Sequence, residues 1–136
     1  MTDDVVLNKV DTIKNCLKRI DEIYSKDHSA LRNNQDKQDA IILNLERACQ
    51  GAIDIAMRVV KLKKLGLPKE SRDAFDFLEK AQIIPNELLV KMHGLVGFRN
   101  TAVHNYKKLD LDIVEFIIQH RLSDLTQLCQ ILLALK

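Results

Sequence analysis

Residues 41–62, IILNLERACQGAIDIAMRVVKL, decide the fold. Ile41, Leu45, Ala48, Ala52, Ile55, Val59 and Leu62 recur at alternating spacings of four and three, which lays one apolar stripe along an α-helix. Gly66 and Pro68 close that helix, one by freeing the backbone and the other by blocking continuation. Upstream the rhythm repeats in Val6, Val10, Ile13, Leu17, Ile20 and Tyr24, with Thr2 as N-cap and Asp3 and Asp4 in the first turn. The polar residues 25–34 between the two stripes read as a loop. Downstream, Ser71 and Asp73 cap a short helix carrying Phe75 and Leu78, and Pro85 and Asn86 open another with Leu89, Met92, Leu95 and Val96. A last helix begins near Asp110 or Asp112 and carries Leu111, Val114, Ile118, Leu122, Leu125, Cys129 and Leu132. Nothing alternates with period two, and no internal repeat is visible. The expected fold is all-α: an antiparallel four-helix-type bundle with an additional short helix, three long helices plus a two-part fourth, forming one domain over residues 1–136.

Composition narrows the class. With 46% apolar and 29% charged residues over 136 positions, the chain is long and apolar enough for a real core. No apolar run approaches the roughly 18 residues of a membrane span, and the acidic start at Met1-Thr2-Asp3-Asp4 lacks a signal-peptide block. A cytoplasmic location is expected. Cys16, Cys49 and Cys129 are widely spaced within apolar patterns and read as buried thiols. A net charge of +2 is too small to mark a nucleic-acid binder by itself, so any recognition of RNA must be local. The last helix is apolar on more than one side, since Ile113, Phe116, Ile117, Leu128, Ile131 and Leu135 flank its main stripe. That surplus fits either a buried helix or a second subunit.

The chemistry concentrates in Arg99-Asn100-Thr101-Ala102-Val103-His104-Asn105-Tyr106. Arg offers a permanent charge and a planar fork for phosphate oxygens, and His exchanges protons near neutral pH. With only four His and two Tyr in the chain, an R-x4-H-x-Y match arises by chance about three times in a thousand. On a straight helix Arg99 and His104 lie about 140° apart, so they cannot converge on one phosphate. Either the helix ends near Val103, with Asn105 in a left-handed turn, or a two-fold axis joins two copies of the motif. Gly94, Gly97 and Thr101 share one face and suggest close backbone approach by a helix, a subunit or a substrate. Each motif residue also has a purely structural reading: a helix-end cation, a surface histidine and a rim tyrosine. Lys107 and Lys108 extend positive charge past the motif, and Arg58, Lys61, Lys63 and Lys64 form a basic run on what reads as a solvated face. His28, His93 and His120 are scattered, without a nearby carboxylate pair, and no metal site, phosphate loop or nucleophile elbow is readable.

On the R-x4-H-x-Y run, the Asn100 beside the arginine, the chain length and the place of the motif before the last helix, the chain resembles HEPN-domain proteins, specifically HepT-like toxins of HEPN–MNT modules. The resemblance implies a homodimer with facing motifs and metal-independent endoribonuclease activity that needs no cofactor. It also implies a minimal nucleotidyltransferase antitoxin that transfers AMP to the motif tyrosine, here Tyr106. Beside it, the chemistry of the residues gives His104 as general base on a ribose 2′-hydroxyl, Arg99 on the phosphoryl oxygens and Asn100 orienting the His or the phosphate. Lys107 and Lys108 are weaker candidates for substrate contact. The alternative is a non-catalytic subunit presenting nucleotide or substrate to a nucleotidyltransferase, and a third reading is a helical adaptor.

Overall fold

The computed structural model describes residues 1–136, in seven α-helices with no strand. α1 (Asp4–Tyr24) and α3 (Gln35–Leu62) form the long hairpin that the two apolar stripes require. The stripe residues Val6, Val10, Ile13 and Ile20 of α1 meet Ile41, Leu45, Ala48, Ala52 and Ile55 of α3, all buried. Gly51 allows the close approach: a Cβ there would stand 2.8 Å from Cγ1 of Ile13. The N-cap of α1 is Asp3 rather than Thr2, because the Asp3 carboxylate accepts from the Val6 amide and also binds Arg58 of α3 at 2.9 Å. The expected loop 25–34 contains a one-turn helix, α2 (Ala30–Asn33), which seats Leu31 in the core.

α3 ends at Leu62, and the chain reverses through Lys64 and Gly66, both at positive φ. Gly66 is required twice over, by its φ of 153° and by the Phe77 ring 2.6 Å from where a Cβ would sit. α4 (Ser71–Lys80) is capped by Glu70, with Asp73 accepting from the Lys69 and Glu70 amides. Ser71 is therefore its first residue rather than its cap. α5 (Asn86–His104) follows and enters from Pro85.

The last helix departs most from expectation. It is broken at Arg121 into α6 (Leu111–His120) and α7 (Leu122–Leu133). The two-part member of the bundle is therefore the final one, while α5 is the third long helix. Asp124 spans the break: its buried carboxylate faces Arg121 at 3.6 Å and Lys91 of α5 at 3.4 Å. A single cluster of 37 buried residues joins the helices. Of the apolar surplus on the last helix, Ile117 and Leu128 serve this core, Ile131 and Leu135 are half-buried, and Ile113 and Phe116 stay exposed. No helix is long and apolar enough to cross a membrane.

Candidate active site

α5 presents one open face. Val90, Gly94, Gly97, Thr101 and His104 follow one another at spacings of four and three and so line up along it. Val90, Gly94, Thr101 and His104 are all exposed. The two glycines of this face have different roles. Nothing lies within 4 Å of a Cβ built on Gly94, whereas Arg72 of α4 lays its terminal Nη2 2.9 Å from a Cβ built on Gly97. The close approach at Gly97 is thus made by a guanidinium, not by a backbone. Beside Gly94 opens an apolar groove of about 270 Å³, lined by Val90, Gly94, Leu95, Ile113, Phe116 and Ile117. Arg121 caps one side of it, with its guanidinium 4.8 Å from the centre of the Phe116 ring.

Arg99 leaves α5 on the other side. It is half-buried, and its Nη1 donates to Asn100 Oδ1 at 3.0 Å. Asn100 Oδ1 therefore braces the Arg99 fork, a contact additional to the roles expected for it. The Arg99 Nε is buried with no hydrogen-bond partner. His104 is the last residue of α5 and is exposed. The helix stops one residue later than expected, when the Asn105 amide donates to Thr101 O at 2.8 Å. Asn105 has φ −152° and ψ 53°, so no left-handed turn swings His104 back toward Arg99. The helix is regular up to His104, so the two side chains diverge by about 140° within one chain.

Tyr106, Lys107 and Lys108 form a single 3-10 turn after the helix, all three exposed. The Tyr106 hydroxyl donates to Asp39 Oδ1 at 2.5 Å, reaching the first turns of α3. Partial burial and then this contact push the Tyr106 phenol up to about 12. The same bond, aided by Gln35, holds the Asp39 carboxyl below its ordinary value. Asp39 and Arg72 are the functional candidates that sequence reasoning missed. Each comes from a different helix, and neither has a motif to announce it.

The other predicted cations and histidines are partly engaged. In the basic run, Arg58 pairs with Asp3 and Lys63 donates to Lys136 O at 2.7 Å, while Lys61 and Lys64 remain exposed. His28 stacks on Tyr24 with ring centroids 4.3 Å apart, and His93 Nε2 lies 2.8 Å from Asp76 Oδ1, a carboxylate that the sequence places seventeen positions away. Cys16, Cys49 and Cys129 are free and buried, as expected, and burial pushes the Cys49 and Cys129 thiols up to about 12 and about 11.

A helical bundle whose R-x4-H-x-Y run closes a helix, with the histidine on an open face, defines a HEPN-type domain. The chain belongs to the HepT-like family: the model described as "Ribonuclease HepT-like" matches residues 13–132. It is similar to the mRNA nuclease HepT of Shewanella oneidensis, 41% identical over 131 residues that make up 96% of this chain and 98% of that protein. A crystal structure of a toxin–antitoxin complex with AMP-PNP matches at TM-score 0.93 and 40% identity, covering 98% of this chain and all of that one. The tri-AMPylated Shewanella oneidensis HEPN toxin in complex with its MNT antitoxin matches with the same score, identity and coverage.

Proposed function

We propose that this chain is the toxin of a HEPN–MNT module, a cytoplasmic endoribonuclease that works as a homodimer and is silenced by AMP transfer to Tyr106. The observation that carries the reading is the motif at the open carboxyl end of α5, with a braced arginine and an exposed histidine on opposite sides. One chain cannot close both groups on a single phosphate. A second copy packed on the face of Val90, Gly94 and Thr101 brings two His104 residues to the two-fold axis and covers Ile113 and Phe116. Those two side chains are 54% and 47% exposed, a large apolar area to leave in water.

In this site His104 takes the proton from a ribose 2′-hydroxyl, and the oxygen attacks the adjacent phosphorus. Arg99 meets the charge that builds on the phosphoryl oxygens, its fork held by Asn100. The products are a 2′,3′-cyclic phosphate and a free 5′-hydroxyl, and no step calls for a metal. Lys107 and Lys108 steer the RNA backbone, and Arg72 adds a cation to the face on which His104 lies. A nucleotide on Tyr106 fills the cleft and repels phosphate. The cognate nucleotidyltransferase supplies that nucleotide, as the related complexes support.

The test is cleavage of labelled RNA by the purified chain in chelator, with the product ends identified. Arg99→Ala and His104→Ala are expected to lose at least about a hundredfold in rate while keeping the wild-type unfolding transition. Full activity in folded His104→Ala overturns the mechanism, and no cleavage by the unmodified wild type favours the non-catalytic subunit.

A further inference from the structure

The Tyr106 hydroxyl and the Asp39 carboxylate meet outside the core. Their contact joins two exposed side chains 67 positions apart, and an exposed hydrogen bond of this kind adds little to stability. Asp39 is nevertheless held in place. Gln35 Nε2 donates to the same Oδ1 at 2.9 Å and to Gln38 Oε1 at 3.1 Å, so one turn of α3 fixes the carboxylate toward Tyr106. Tyr106 itself is 40% exposed, so part of its side chain is reachable from solvent.

We propose that Asp39 is a catalytic residue of the modification of Tyr106, aligning the phenol and accepting its proton as the oxygen attacks a nucleoside triphosphate. The inference rests on the reading above that Tyr106 is the acceptor. The phenolic oxygen forms a bond to the α-phosphorus, and the bond from that phosphorus to the bridging oxygen breaks. Pyrophosphate leaves with the electron pair. The O–H bond of Tyr106 breaks toward Asp39 Oδ1, and the carboxylic acid passes the proton to water. Prior ionisation is a poor route: with the phenol at about 12, only about one Tyr106 in a hundred thousand is phenoxide at pH 7. A base in contact with the hydroxyl removes that requirement, because the proton leaves as the new bond forms. The toxin then contributes the base to the reaction that inactivates it, while the antitoxin brings the nucleotide.

The experiment follows the first AMP addition by intact mass, using full-length chain, saturating cognate nucleotidyltransferase and magnesium ATP, from neutral to alkaline pH. Asp39→Asn is expected to slow the first addition by on the order of a hundredfold. Its rate should climb close to tenfold per pH unit, as phenoxide must now be the nucleophile, against a nearly flat wild-type profile. Asp39→Glu should restore part of the rate. A wild-type rate and profile in Asp39→Asn overturns the role of Asp39 while leaving Tyr106 as acceptor. Addition that persists in Tyr106→Phe overturns instead the assignment of Tyr106 itself, so the two failures are distinguishable.

Discussion

Both tyrosines of the chain donate a hydrogen bond to a carboxylate, but in different surroundings. Tyr24 is buried, donates to Glu115 at 2.6 Å, accepts from Gln119 at 3.0 Å, and ties α1 to α6. Arg32 completes that cluster by binding Glu115 and Asp112. The Tyr24 hydroxyl and both Glu115 carboxylate oxygens have protein partners there, which is the mark of a structural joint. Tyr106 instead presents a half-open ring on a turn. In a Tyr24→Phe background, the remaining phenol is expected to titrate near 12, followed by ultraviolet difference absorbance. Asp39→Asn should lower that midpoint toward the ordinary value of about 10, since a neutral acceptor no longer opposes ionisation. The sign for stability follows. The folded state holds the phenol protonated, so its contribution is complete below about pH 10 and is lost as pH rises through about 12. A midpoint near 10 in Tyr24→Phe alone means that the bond to Asp39 does not form in solution. Asp3 behaves oppositely: Arg58 holds its carboxyl below the usual range, so its contribution is present above about pH 4 and is lost as pH falls.

At the scale of elements, the reversal after α3 offers a sharp contrast between two glycines. Gly66→Ala combines a positive φ with a rigid ring in the way, and is expected to cost about 1–3 kcal/mol in denaturant unfolding. Gly97→Ala meets only the tip of Arg72, a side chain that can swing aside, and removes a glycine from a helix interior. It should be neutral or stabilising by up to about 1 kcal/mol. Equal midpoints for the two variants exclude the described turn. The same contrast explains what was legible in the sequence. Long stripes such as Ile41 to Leu62 and Val6 to Tyr24 gave their helices correctly, because burial of one face dominates a long element. The one-turn α2 carries too few periods to read. The break at Arg121 was also hidden, since the apolar rhythm continues across the interruption, and the Lys91–Asp124 contact beside it joins residues of different helices. Arg99, His104 and Tyr106 were legible because they are local. Asp39 at Tyr106 was not, because only the folded path of the chain brings α3 to that turn.

For the whole molecule the decisive question is whether one site draws on two chains. Arg99 and His104 point apart within a protomer, so the homodimer proposed above is needed for chemistry and not only for burial. Phe116→Asp places a charge in the apolar groove and is expected to give monomers by sedimentation, with loss of RNA cleavage but an unchanged helical spectrum. Gly94→Ala refines the point: in an isolated protomer the added methyl meets nothing, so any loss of dimer affinity reports a close partner at that face. The strictest measurement mixes two inactive proteins, Arg99→Ala and His104→Ala, under conditions of subunit exchange. If each site takes its arginine from one chain and its histidine from the other, a mixed dimer contains one intact site and one doubly damaged site. Random exchange makes half of the dimers mixed, so activity should return to about a quarter of wild type. If both groups of a site come from one chain, every site in every dimer lacks a member and the mixture stays inactive. Recovery thus reads out the sharing of the motif directly, and its absence in a confirmed dimer assigns each site to a single protomer.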